Sequence, residues 1–196
     1  MTECNYREMQ LPFATVAFTE MNRKQAVQYL NWYIEVMDER IAYLENHVHE
    51  TGGDVVFDYS PESLKPLWRW FMKRVEVIPM TRKEILDEMG NLEPWMETCI
   101  PVHMDKMSTY TWRVMYDITA YCGQVIIKNV PGIYWGCLSK PKSLVGVNEP
   151  RLLGFLHDMD YYLWGSVDVC RIRGMRDPDD PGLYCLYEIC KEMMEE

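Results

Sequence analysis

Apolar residues recur at spacings of three and four from Met21 onward: Ala26, Leu30, Tyr33, Ile34, Met37, Ile41, Leu44 and Val48. Such spacing draws one stripe along a helix of 3.6 residues per turn. Glu35, Asp38, Glu39 and Arg40 fall off the stripe. The pattern therefore predicts a long amphipathic helix, ended by Gly52-Gly53. Residues 54–59, DVVFDY, read as a short strand or an extended entry to the next element. A second stripe, Leu64, Leu67, Trp68, Phe71 and Val75, marks another helix. A turn at Ser60-Pro61 and a cap at Ser63 place Pro66 in the first turn, where a missing N–H costs little. Thr81-Arg82-Lys83-Glu84 fits a capping box that opens a short helix, and Gly90 should stop it. Residues 91–106 carry Pro94 and Pro101 and read as irregular chain or one helical turn.

From Ser108, the residues Trp112, Met115, Thr119 and Cys122 share a helix face, with Ile118 beside them. Gly123 stands where a left-handed C-terminal cap would end that helix. Two strands, 124–129 and 133–138, are then expected around a Pro131-Gly132 turn. Val125-Ile126-Ile127 is apolar on both faces, as in a strand covered on both sides. Residues 139–150 read as loop, and 152–156 and 167–172 as two more strands. Between these last two lies the acidic and aromatic run HDMDYYLWG. Asp180 is placed to cap a final helix with Pro181 at its first position. Leu183, Leu186, Tyr187, Cys190 and Met194 give that helix its apolar face. The expected fold is α+β, one domain over residues 1–196. Several amphipathic helices pack on a small, mainly antiparallel sheet built from 124–138, 152–156 and 167–172.

Composition narrows the function classes. A chain of 196 residues suits one domain or at most two small ones, and 48% hydrophobic residues exclude a disordered chain. Seven Trp and thirteen Tyr supply core, with some left for an exposed recognition patch. The net charge of −10 argues against binding nucleic acid or an anionic membrane surface. It is compatible with a basic protein partner, beside its plainer role in solubility. The start, MTECNYREMQ, lacks a basic segment followed by an apolar one, and no apolar run is long enough to span a bilayer. Seven scattered cysteines then read as reduced thiols of a cytoplasmic protein.

Candidate chemistry is sparse. His47 and His49 are two apart on a helix and point to different faces. No Cys-x-x-Cys and no His-Glu-x-x-His occurs, so no metal site and no cofactor is expected. Cys99 with His103, or Cys122 with His157, are formal nucleophile–base pairs, but Cys122 and Cys190 lie on apolar faces where thiols are inert. Nucleophile-elbow and phosphate-loop patterns are absent. No catalytic residue is assigned. Among carboxylates, Glu35 and Glu39 fit a solvated helix face. Asp158, Asp160, Tyr161, Tyr162 and Trp164 combine acid with large aromatics, which suits a recognition surface; the plainer reading is a loop with core aromatics.

Three blocks, NRKQAVQYLNWYIEVMDERIAYL, FDYSPESLKPLWRWF and AYCGQVIIKNVPGIYW, together resemble a family of uncharacterised bacterial cytosolic proteins. Tyr121, Gly123, Asn129 and Trp135 match the family's third block, and Gln124 stands where relatives carry Glu. The resemblance implies fold and compartment rather than an activity. By analogy, small acidic α+β proteins of this kind include immunity proteins that neutralise bacterial toxins. The leading expectation is a non-catalytic protein-binding module of the immunity or antitoxin type. One alternative is a small-ligand site or enzyme near 121–135, lined by Tyr121, Gln124, Lys128, Asn129 and Trp135. Another is a structural homo-oligomer.

Overall fold

The computed structural model describes residues 6–90 and 105–195. The long first helix, α1 (Arg23–Glu50), starts at a reciprocal capping box. The Asn22 side chain accepts from the Gln25 amide and the Gln25 side chain accepts from the Asn22 amide. Its stripe is buried as expected, with two changes. Ile34 is exposed, and Arg40, expected off the stripe, is buried.

Residues 54–59 form no strand. Val55 is buried, Val56 is exposed, and Tyr59 adopts a left-handed backbone. A 3-10 turn at Pro61–Ser63 leads into α2 (Leu64–Met72). The helix proper begins after Ser63, as predicted, but the capping oxygen belongs to Ser60, which accepts from the Ser63 amide. Strand β1 (Val77–Pro79) precedes α3 (Arg82–Gly90), whose Thr81–Glu84 capping box is present in both directions. Most of the irregular stretch expected at 91–106 lies outside the described residues. Strand β2 (Asp105–Met107) pairs antiparallel with β1, and the next residue, Ser108, from which the helical pattern was expected to run, caps α4 by accepting from the Thr111 amide.

The main departure follows. Helix α4 (Thr109–Asn129) runs through Gly123 for six more residues. Continuing as helix keeps Val125 and Ile126 on the face of Ile118 and Cys122, and all four are fully buried. Gly123 does not end the helix. A Cβ there would overlap the Trp135 indole, so its value is close approach rather than a left-handed turn. Strands β3 (Tyr134–Cys137) and β4 (Pro150–Leu153) pair antiparallel with Tyr134 opposite Leu153. The stretch 167–172 is helical, within α5 (Leu163–Gly174). Leu163, Val167 and Cys170 face inward at helical spacing, whereas Val169, expected on a strand, is exposed. Helix α6 (Leu183–Glu192) closes the chain. Asp180 accepts from the Gly182 amide, in the turn before that helix, and Gly182 holds the cap position at positive φ.

The architecture is α+β, dominated by helix, with two separate antiparallel strand pairs among the described residues in place of the single sheet expected from 124–138, 152–156 and 167–172. Helix α4 is the axis. It packs on α1 on one side and on α5 and α6 on the other. One buried apolar cluster continues from Tyr6 through all these helices to Cys190. No helix among the described residues is long and apolar enough to cross a membrane.

Candidate functional site

The residues of the third block hold the fold together. Ser63 Oγ donates to the Ser60 carbonyl, so it accepts from the Tyr121 hydroxyl at 2.7 Å. Tyr121 in turn accepts from the Tyr59 amide. Asn129 donates to the Tyr59 carbonyl at 2.8 Å, and the Lys128 ammonium sits 3.1 Å from the centre of the Tyr59 ring. Tyr121, Lys128 and Asn129 thus clamp one left-handed residue between α1 and α2. Gln124 donates to the Met37 sulfur. Trp135 is buried against Gly123 and Tyr33 and lines a void of about 10 Å³, room for about one water.

The 157–164 segment is placed differently. Tyr161 exchanges both backbone hydrogen bonds with Leu152, extending the β3–β4 pair by one bridge. Arg151, fully buried, reaches through to Asp160, donates to the carbonyls of Val145 and Gly146, and stacks over the Tyr162 ring. The Tyr162 hydroxyl donates to Glu149 at 2.7 Å. Burial pushes the Tyr161 phenol up to about 12 and holds the Glu149 carboxyl above its usual range. These ties fix both ends of a short tip, His157-Asp158-Met159, which is exposed and carries left-handed backbone at His157 and Asp158. Non-glycine residues rarely adopt that conformation unless their surroundings over-determine it. Tyr161, two residues past the tip, lines a groove of about 530 Å³ between α5, α6 and the 139–150 loop, with Val145, Tyr162, Val169, Ile189 and Arg173, whose charge is paired with Asp180. Val145 and Val169 present large apolar side chains to solvent there. Trp164 lies to the other side, tilted against Trp112.

Three buried polar residues escaped the sequence reading. The Asp117 carboxylate accepts two bonds from Arg40, at 3.0 and 2.6 Å, and one from the Tyr6 hydroxyl at 2.5 Å. Arg40 also donates to the Arg7 carbonyl, so the group ties the N-terminal segment to α1 and α4. Burial pushes the Asp117 carboxyl up, against the pull of Arg40 and Tyr6. A signal was present: Asp117 lies three residues after Val114 and four before Tyr121, on the buried face, and a charge at such a position requires a partner.

Cys122, Cys170 and Cys190 are buried in the core, where burial raises their thiol pKa values, to about 11 for Cys170 and about 12 for Cys190. His47 pairs with the Tyr110 hydroxyl at 3.0 Å and His49 with the Val55 carbonyl at 2.9 Å. Among the described residues no group of three His, Cys, Asp or Glu is arranged to hold a metal ion. No family model, curated protein or solved structure matches the chain.

Proposed function

We propose that the chain is a non-catalytic protein-binding module of the immunity or antitoxin type. It engages a basic partner through the His157–Met159 tip and the adjoining α5–α6 groove. The observation that carries this reading is the contrast within one segment. Tyr161 and Asp160 are locked to β4 and Arg151, while Asp158 and Met159 between the locks face solvent. A surface that is rigid before binding loses little entropy on association. The groove gives an apolar side chain of the partner a place beside that acidic tip, and the −10 net charge speeds encounter with a basic protein.

The test is capture from the cells that make the protein, with Asp158→Lys and Val169→Asp in parallel with wild type. A basic protein retained by wild type and lost by both variants supports the reading. A capture profile that neither substitution changes refutes it. A second copy of the chain as the captured species would assign the face to self-association instead.

A further inference from the structure

A second concave site lies on the opposite side of α4. Segment 6–11, α1 and α4 enclose a cavity of about 270 Å³, smaller than the pockets that take drug-sized ligands. Trp32 forms one wall. Another is Trp112, stacked on Tyr116 with ring centres 5.5 Å apart and an interplanar angle of 24°. Trp112 keeps 45% of its surface exposed, so this face of the indole is not used by the core.

The polar lining consists largely of donors. The Tyr29 and Tyr116 hydroxyls are 2.6 Å apart. Two hydroxyls carry two hydrogens and their mutual bond uses one; the Glu149 carboxylate acts on both phenols, and Tyr116 also lines the small void beside Glu149. Arg40 and Arg113 add two guanidinium groups against one lining carboxylate, Glu8, on a chain that is acidic elsewhere. Arg40 is neutralised from behind by Asp117. Arg113 is neutralised by Glu8 at 2.8 Å, and Glu8 is 68% exposed. Glu8 can therefore swing into water at little cost and yield Arg113 to another carboxylate.

We propose that this cavity binds a small aromatic carboxylate. Its ring lies against Trp112 and Trp32, and its carboxylate exchanges with Glu8 on Arg113. The size limits the ligand to one or two rings. A charge-assisted bond from the ligand carboxylate to Arg113, more sheltered than the exposed Glu8 pairing it replaces, provides the preference for the anion.

Calorimetric titration of the full chain with phenylacetate and indole-3-acetate, against their neutral amides, tests the site. The carboxylates should bind about tenfold tighter than the amides at most and severalfold tighter at least, the surplus of the sheltered Arg113 bond over the exposed Glu8 pairing it replaces. Arg113→Gln should bring acid and amide to the same affinity. Because Arg113 also donates to the Tyr6 carbonyl, that variant can loosen segment 6–11. Trp112→Ala avoids this and should weaken acid and amide alike. Equal affinity of wild type for acid and amide, or no binding of any probe at millimolar concentration, overturns the proposal.

Discussion

Removing Arg40 should destabilise the protein more than removing Arg40 and Asp117 together. Arg40 and Asp117 are 6% and 1% exposed, and their bidentate contact is supplemented by Tyr6. Arg40→Met strands a carboxylate in the core, and breaking a buried pair in this way costs about 3–5 kcal/mol. Asp117→Leu strands a guanidinium at about the same cost. In the double variant neither charge remains. What is left is the buried Tyr6 hydroxyl without its acceptor, about 1–3 kcal/mol, and the Arg7 carbonyl, which loses its Arg40 donor on a segment open to water. The coupling between the two sites is therefore several kcal/mol, with the double variant above both singles in stability. Urea unfolding at neutral pH reads this directly. With a slope of about 2–3 kcal/mol/M, each single variant should lose about 1–2.5 M in midpoint. A pH series adds a sign test. The folded-state carboxyl of Asp117 is raised above its unfolded value, and without Arg40 it rises further. The folded state then holds the extra proton, so stability of Arg40→Met is retained at low pH and lost as pH rises through the folded pKa. Single variants within about 1 kcal/mol of wild type, or a double variant that costs the sum of the singles, would refute the buried-pair account.

Gly123→Ala should cost about 1–3 kcal/mol by overpacking against Trp135, whereas Gly90→Ala, where a Cβ meets nothing among the described residues and the helix gains a better former, should cost nothing in the same denaturation assay. Cys122, Cys170 and Cys190 should resist a thiol reagent at pH 8 and react only in denaturant, as read by mass spectrometry; native labelling of any of them would contradict their burial. Burial holds the Tyr6, Tyr33 and Tyr116 phenols well above their usual pKa, so the folded state keeps protons that the unfolded state releases. Stability should fall as pH rises through about 10, and these groups should ionise, by ultraviolet absorbance, only as the chain unfolds.

The parts of the fold that were legible rest on local signals. The α1 stripe, the start of α4 after Ser108 and the Thr81–Glu84 box are each decided within a few residues, and each was found where expected. Gly123 was misread because a glycine that ends a helix and one that admits an indole look the same in sequence; Trp135, twelve residues on, decides between them. The run from Val167 to Ile172 alternates enough to pass for a strand, and only the contact of α5 with α4 and α6 selects helix. Arg40 was placed off the stripe because charge was taken as exposure, while its partner lies 77 residues away. The 157–164 segment was singled out for its composition. Its division into locked aromatics and an exposed tip depends on Arg151 and Leu152, whose role no periodicity displays. The cavity at Trp32 and Trp112 was not foreseen, because its walls come from three separate stretches of chain.

The binding face is tested most directly by photo-cross-linking in the cells that make the protein. A benzophenone amino acid replaces Met159, Val169 or, as a control on the far side of α1, Val27, all three exposed. The account predicts the same basic protein cross-linked at positions 159 and 169 and absent at 27. No adduct, or the same adducts at all three positions, would contradict it.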